Sequence, residues 1–346
     1  MAPIVVQGDD MAPVFDIRQD MHSIDLANDI RNGLAAANPF LPSLLLWDDR
    51  GQKLFDDFSQ TASYYPFHGE VEALNLHGSH LSRSVPDGGI LLELGCGAIR
   101  KTKSILFNFH RQQRRVHYIA LDVSAQGLGA SLVQLRALFK DSPYISLTGL
   151  LGTYDDCVAW LAGVGHEPGS VTIMWLGNSI ANLAGQDEAS DFLARFRRAC
   201  DRSAVPCQFI VSVDVCQRRD KVLDAYDAER PKLRDFLLNA PRAANLALGY
   251  EALELADWKL VRSLDERALT FYLAAVRNVR VEMPPPADGG PAEVLPVAKG
   301  QRVRVITSGK WDEPSVDDMC DRAGFRVQQR WRDASGDYCI FLLSSV

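Results

Sequence analysis

Three clusters of residues in this chain carry the types and spacing that small-molecule chemistry needs. Glu93-Leu94-Gly95-Cys96-Gly97 closes one apolar run, and Asp122 closes the next. Glycines at a strand end permit a tight turn and let a ligand approach backbone N–H groups closely. Asp122, 25 residues beyond Gly97 at the end of the second strand, is placed to accept hydrogen bonds from ribose hydroxyls. The pair suits NAD, FAD or S-adenosylmethionine; the competing reading is a coincidental strand-end glycine pair. Arg100 stands where G-x-G-x-x-G has its third glycine, which disfavours a tightly packed dinucleotide turn, and no G-x-x-x-x-G-K-[ST] loop occurs. The second cluster is Gly152-Thr153-Tyr154-Asp155-Asp156. Thr153 and Tyr154 either frame an adenine, or Thr153 with Asp156 simply caps a helix. The third is Gly177-Asn178-Ser179-Ile180-Ala181-Asn182-Leu183, polar without charge. The amide of Asn182 donates and accepts, so it suits a carboxylate or an amine. Tyr65 and Tyr226 carry less alone, since a lone aromatic is more often core than pocket.

The absences narrow the chemistry. The chain has no H-E-x-x-H, H-x-H or C-x-x-C motif and no G-x-S-x-G elbow, so neither metal catalysis nor that hydrolase chemistry has candidates. Methyl transfer from a sulfonium needs neither a metal nor a covalent nucleophile. It needs a deprotonated amine placed in line with the methyl carbon.

The elements that must position these residues follow from periodicity. Apolar runs ending at Gly95, Asp122, Leu151, Leu176 and Asp214 alternate with helical patterns near 101–110, 125–139, 155–162 and 187–200. Continuous apolar strands separated by helices imply an α/β fold with a parallel sheet covered on both faces. Upstream, a helix is expected over 21–37, a turn at 48–51, a short helix after it and a bend at Pro66. Past Asp214 the rhythm changes: a charged helical stretch is followed by strand-like LTFYLAAVRNVRVE and QRVRVITS, with a Pro/Gly-rich segment between them. A helix ending at Gly324 and a hairpin around Ser335-Gly336 complete the chain. Residues 1–20 read as a loosely held arm.

Composition sets limits on partners. With 346 residues, 37 basic against 44 acidic side chains and a net charge of -7, the balance argues against a surface built for nucleic acid or anionic lipid. The N-terminus lacks a basic start and an apolar core, so no signal peptide is read, and no apolar run is long enough to span a bilayer. Seven cysteines without paired spacing fit a reducing, cytoplasmic setting.

The motifs WDDRGQKLFDDFS, YYPFHGE, LELGCGAIRKT, ALDVS, LGTYDDCVAWL, WLGNSIANL, VSVDVCQ with KVLDAYD, and the terminal AGF and WRDASGDYCIFLL together resemble one family. It is the histidine-specific methyltransferase superfamily, and the chain is most similar to its fungal branch containing the 4-dimethylallyltryptophan N-methyltransferases. The resemblance implies a class I, Rossmann-like methyltransferase sheet with a smaller α+β substrate-binding domain. Their expected extents are 67–217 with 286–346, and 21–66 with 218–285. It also implies S-adenosylmethionine as donor, S-adenosylhomocysteine as product, no metal, and a small amino-acid-like amine as substrate. Glu93, Gly95, Gly97 and Lys101 would lie at the methionine part of the cofactor, Asp122 at the ribose, and Thr153 and Tyr154 at the adenine. Tyr65, Asn182 and Tyr226 would hold the substrate's amino group and carboxylate.

Two departures bear on specificity. Where the histidine enzymes have E-M-x-L, this chain reads Thr270-Phe271-Tyr272-Leu273, so a carboxylate is replaced by Thr270, with Tyr272 nearby. Where they have Y-F-Y-D, it reads Leu45-Leu46-Trp47-Asp48. Both changes leave an imidazole N–H poorly satisfied and favour a less polar amine. The expected activity is N-methylation of an aromatic or apolar amino acid or its derivative. The alternatives are a betaine-forming histidine or tyrosine enzyme and a non-catalytic S-adenosylmethionine-binding regulator.

Overall fold

A computed structural model describes residues 12–19, 25–163, 169–285 and 293–346. The chain opens with strand β1 (Val14–Asp16), helices α1 (Leu26–Ala35), α2 (Asp49–Ser59) and α3 (Tyr65–Ser84). An alternating run follows: β2 (Gly89–Leu94), α4 (Arg100–Arg111), β3 (Val116–Asp122), α5 (Ala125–Phe139), β4 (Ile145–Leu151) and α6 (Tyr154–Gly163). It continues through β5 (Val171–Trp175), α7 (Gln186–Arg202) and β6 (Cys207–Asp214). Three helices, α8 (Arg219–Ala225), α9 (Pro231–Leu237) and α10 (Asn239–Leu248), precede β7 (Trp258–Leu264), β8 (Ala268–Ala275), β9 (Val279–Met283), β10 (Glu293–Val297) and β11 (Arg302–Gly309). Helix α11 (Glu313–Arg322) and the hairpin β12 (Phe325–Arg332) and β13 (Tyr338–Ser345) end the chain.

The chain divides into two compact units. The first comprises the described residues up to 19, with 65–217 and 309–346. Its sheet has eight strands in the order β1-β4-β3-β2-β5-β6-β13-β12. Strands β1 to β6 run parallel, whereas β13 lies antiparallel to both β6 and β12. This is a Rossmann-like α/β sheet with added strands. The order reverses between β2 and β5, and a crevice at the carboxyl ends of such strands is where ligands bind in open α/β sheets.

Strand alternation divides the core into two layers. Leu92, Leu94, Ile119, Leu121 and Ile173 pack with Leu161 of α6, Phe192 and Phe196 of α7, and Val316 of α11. Leu91, Tyr118, Ala120 and Met174 pack on the other face with Leu74, Leu106, Phe109 and Leu132. Helix α4 shows why it docks: buried Thr102, Ile105, Leu106 and Phe109 recur at the three- and four-residue spacing of one helical stripe. Ser124 caps α5 by accepting from Gly127 N, and Asp312 caps α11 by accepting from Ser315 N.

Residues 12–19 correct the expected arm. Val14–Asp16 joins the sheet edge beside β4, with Val14 opposite Gly149. A Cβ at Gly149 would stand 2.7 Å from Leu132 Cδ1 and 3.1 Å from Val14 Cγ2, so the missing side chain admits the strand. The rest of the arm expectation, and the start of the helix expected over 21–37, lie outside the described residues; α1 covers Leu26–Ala35. The turn expected at 48–51 is instead the start of α2, because Asp48 accepts from Gly51 N at 2.6 Å and nucleates the helix. Likewise α3 begins at Tyr65 with Pro66 inside its first turn, where proline loses no helical hydrogen bond.

The second unit comprises the described residues of 20–64 and 218–308. It contains a three-stranded sheet, β11-β8-β7, and the antiparallel pair β9 and β10. The change of unit falls at 308/309 and not at 285/286, because β11 pairs with β8 and stays with it. Strands β7 and β10 were not anticipated, and most of the Pro/Gly-rich segment lies outside the described residues. Helices α1, α2, α9 and α10 belong to this unit, and aromatic contacts among Trp47, Phe55, Phe58, Tyr64 and Phe236, at centroid distances of 4.5–6.3 Å, join α2 to α9.

Candidate active site

The carboxyl ends of β2, β3 and β4 gather the expected cofactor residues. Gly95 and Gly97 have φ of +68° and +43°, in the left-handed region that favours glycine. The N–H groups of Gly95 and Cys96 donate to Leu121 O at 3.0 and 3.1 Å, which pins the loop to β3. Asp122, buried at the end of β3, accepts from Gly97 N at 3.3 Å and from Ser124 N at 3.0 Å. Its carboxylate therefore stands between the glycine loop and the start of α5.

Tyr154 closes this region from α6. A Cβ at Gly95 would lie 3.2 Å from its hydroxyl, and Trp175 Nε1 donates to that hydroxyl at 3.2 Å. Burial pushes the Tyr154 phenol up to about 12, so it stays protonated and serves as an aromatic wall with a polar tip. Thr153 is a helix cap: its N–H and Oγ1 both donate to Asp156 Oδ2, at 2.8 and 2.7 Å, and Asp156 N returns to Thr153 Oγ1. Glu93 turns into the fold and not toward the loop. Tyr118 and Thr102 donate to its Oε2 at 2.5 and 2.7 Å, and burial raises its carboxyl to about 7.

Lys101 meets a partner that its motif does not reveal. Its Nζ lies 2.8 Å from Oε2 of Glu70, a buried carboxylate on α3. Oε1 of Glu70 accepts from Gly177 N at 2.7 Å and from the Ser212 hydroxyl. One carboxylate thus ties together α3, α4, the β5 loop and β6. A groove of about 480 Å³ between α3 and α4, lined by Phe67, Val71, Phe107, Arg100 and Lys103 among others, includes none of the glycine-loop residues. Its size alone does not make it the site.

Beyond β5 the chain makes a tight polar loop. Asn178 adopts φ 58°, which asparagine tolerates better than most residues, and its Oδ1 accepts from Asp214 N at 2.9 Å. Asn182 ends the 3-10 turn Ser179–Asn182, half-buried, and its side chain makes no hydrogen bond among the described residues. Tyr65 comes to the same strand-end edge: its hydroxyl donates to both carboxylate oxygens of Asp214, at 2.9 and 2.7 Å.

The remaining substrate candidates belong to the second unit. Tyr226 is buried at the end of α8, with its ring 5.3 Å from Tyr64 and 6.3 Å from Phe271. Its hydroxyl stands 3.4 Å from the hydroxyls of Tyr64 and Ser308. Thr270 is next to Phe271 on β8, and successive strand residues face opposite sides. Its hydroxyl accordingly meets Thr307 at 3.3 Å, away from the Tyr226 side. Tyr272 shares the Thr270 side of β8 and is half-buried, with Arg302 over its ring. Leu45 is buried in the turn before α2, where its carbonyl accepts from Asn239. Ser308, Glu70 and Asp214 were not singled out as site residues in the sequence; a hydroxyl closing β11 and an acid closing β6 were the available signals.

Among the described residues, no group of three or more His, Cys, Asp or Glu side chains is placed to hold a metal ion, and no helix is long and apolar enough to cross a membrane.

The family model described as histidine-specific methyltransferase, SAM-dependent, matches residues 26–345. The chain is 40% identical to N-methyltransferase benX of Aspergillus terreus, over 95% of this chain and 91% of that protein. It is 36% identical to N-methyltransferase dtpB of Aspergillus flavus with the same two coverages. It is 26% identical to 4-dimethylallyltryptophan N-methyltransferase easF of Epichloe festucae var. lolii, over 95% of this chain and 98% of that one.

Proposed function

The chain belongs to the histidine-specific, SAM-dependent methyltransferase family, and from that premise we propose that it methylates the amino nitrogen of an aromatic or apolar amino acid or amino-acid-derived precursor of secondary metabolism. Its class is that of an S-adenosylmethionine-dependent N-methyltransferase acting on an amine. The observation that carries the cofactor half of the reading is the convergence of Gly95, Gly97, Asp122 and Tyr154 at the carboxyl ends of three neighbouring strands. A cofactor with a ribose and an amino-acid tail fits that donor set. Asp122 supplies acceptors for ribose hydroxyls, the side-chain-free glycines leave room for the tail to approach, and Tyr154 gives an aromatic wall. When bound, S-adenosylmethionine supplies an electrophilic methyl group.

The chain's own task is to present a neutral amine nitrogen in line with that methyl. Asn182 can accept an N–H or donate to a carboxylate. Tyr226, beside Ser308, offers hydroxyls to a carboxylate while Tyr64 and Phe271 line its ring, surroundings richer in aromatic carbon than in charge. These surroundings, with the fungal N-methyltransferases among its relatives, support an aromatic or apolar substrate over histidine.

Incubation with labelled S-adenosylmethionine and L-tryptophan, a 4-prenylated L-tryptophan, L-tyrosine or L-histidine, read by mass spectrometry, tests this directly. Methylation of an aromatic or prenylated amine with Asn182→Ala raising KM and lowering kcat is the expected result. Calorimetric binding of histidine at micromolar affinity or tighter, together with its methylation, overturns the substrate assignment. Unchanged kinetics in Asn182→Ala removes that residue from the site.

A further inference from the structure

A buried charge pair stands behind Tyr65, and the reaction as described does not use it. Asp214 closes β6 with no solvent exposure, and Lys310, only 3% exposed, places its Nζ 3.0 Å from Asp214 Oδ2. Backbone donation from Cys216 N to Oδ1 at 3.1 Å and the Asn178 bond to Asp214 N fix the carboxylate's position. Lys310 and Tyr65, from two other stretches of chain, therefore converge on this carboxylate, and Tyr65 at the start of α3 donates to both of its oxygens.

Burying such a pair is a poor way to gain stability. Desolvation of two charges offsets most of their attraction, and apolar replacements of similar volume are often neutral or better. The pair does, however, dictate the hydrogen-bond polarity of Tyr65. A phenol has one hydrogen and two acceptor lone pairs. With the hydrogen committed to Asp214, the oxygen can only accept from a ligand. It therefore takes an N–H of an amine and cannot donate to the nitrogen lone pair, which is the electron pair that must reach the methyl group. A freely rotating hydroxyl would be able to occupy that lone pair and block transfer.

We propose that Asp214, neutralised by Lys310, is a positioning residue that locks the Tyr65 hydroxyl as an acceptor for the substrate amine's N–H and so leaves the nitrogen lone pair available for methylation. The proposal rests on the N-methyltransferase reading and deepens it. Tyr65 is the catalytic residue that touches substrate; Asp214 and Lys310 act through it.

The test compares Tyr65→Phe, Asp214→Asn, the two combined, and Asp214→Asn with Lys310→Met, which leaves no unpaired buried charge. Each is assayed with labelled S-adenosylmethionine and the member of the amine panel that the unaltered enzyme methylates fastest. S-adenosylhomocysteine affinity, measured by calorimetry, reports that the cofactor side is intact. Tyr65→Phe and Asp214→Asn are each expected to lower kcat by about tenfold or more, a loss typical of a misplaced reacting group, with KM changed much less. Asp214→Asn should then add no more than about twofold in the Tyr65→Phe background, because the residue acts through that hydroxyl. The Asp214→Asn, Lys310→Met variant should show the Tyr65→Phe loss while unfolding cooperatively. An equal loss from Asp214→Asn with and without the Tyr65 hydroxyl overturns the proposal, as does undiminished kcat in the charge-free variant. Absence of methyl transfer by the unaltered enzyme to every amine in the panel is a different failure: it overturns the substrate reading, and this inference with it.

Discussion

Replacing Glu70 by glutamine should reveal how much the strand-end edge depends on one buried carboxylate. Glu70 is 1% exposed, and its two oxygens receive the Lys101 ammonium, the Gly177 N–H and the Ser212 hydroxyl. At 2.8 Å and an effective dielectric of about 20, the Coulomb attraction to Lys101 is about 6 kcal/mol before desolvation is subtracted. Breaking a buried pair by removing one partner costs about 3–5 kcal/mol. The Lys101 side chain keeps 20% exposure and can reach water, so the loss for Glu70→Gln should fall near the lower end, about 3 kcal/mol. The amide oxygen can still accept from Gly177 and Ser212, and this confines the damage to the lysine. Lys101→Met leaves the carboxylate with its neutral donors only and should cost a similar amount. Because both variants break the same pair, the double variant should be more stable than their sum implies by about 2 kcal/mol. Urea unfolding followed by circular dichroism and fluorescence measures all three, where the two probes coincide. A coupling below about 0.5 kcal/mol would refute the reasoning, since independent sites add within that margin.

Two further outcomes follow from the same strand ends. Gly95→Ala places a methyl group at φ +68° and 3.2 Å from the Tyr154 hydroxyl; calorimetry should show S-adenosylhomocysteine affinity reduced by about tenfold or more. Undisturbed affinity would mean that the loop is not a ligand cradle. Glu93 in the fold binds its proton more tightly than in the unfolded chain, with its carboxyl raised from 4.5 to about 7. Its contribution is thus fully present below the unfolded value and is lost as pH rises through the folded one. Stability should fall by on the order of 3 kcal/mol between those limits, and Glu93→Gln should flatten that segment of the pH profile in urea titrations.

Much of the first unit was legible because of how parallel sheets are buried. Strands covered on both faces are apolar at most positions, so β2, β3, β5 and β6 stand out as near-continuous runs, and the intervening helices announce themselves by stripes such as Ile105, Leu106 and Phe109. Strand β1 has three residues and no run to detect; its place depends on Gly149, far away in sequence. Strand β7 carries charged Lys259 and Arg262 on opposite faces, so it shows no period-two alternation by which to detect it. The cap formed by Thr153 and Asp156 shows the opposite case, a local device readable from spacing alone.

The polar contacts that decide the chemistry were illegible for a physical reason. A buried carboxylate declares its partners only after the chain has folded: Glu70 reaches Ser212 across 142 positions, and Tyr65 reaches Asp214 across 149. Neither separation is periodic, and neither partner is unusual by type. The specificity argument moves for the same reason. Thr270 attracted attention as a missing carboxylate, yet strand alternation turns it toward Thr307, while the adjacent Phe271 faces Tyr226. Ser308 is the hydroxyl beside Tyr226. Thr270 meets Thr307 across the β8–β11 pair, whereas Ser308 stands within reach of the hydroxyl of Tyr226, the residue proposed to hold the substrate. Discrimination among amines should accordingly respond more to Ser308→Ala than to Thr270→Ala, as the ratio of kcat/KM for two panel amines would report.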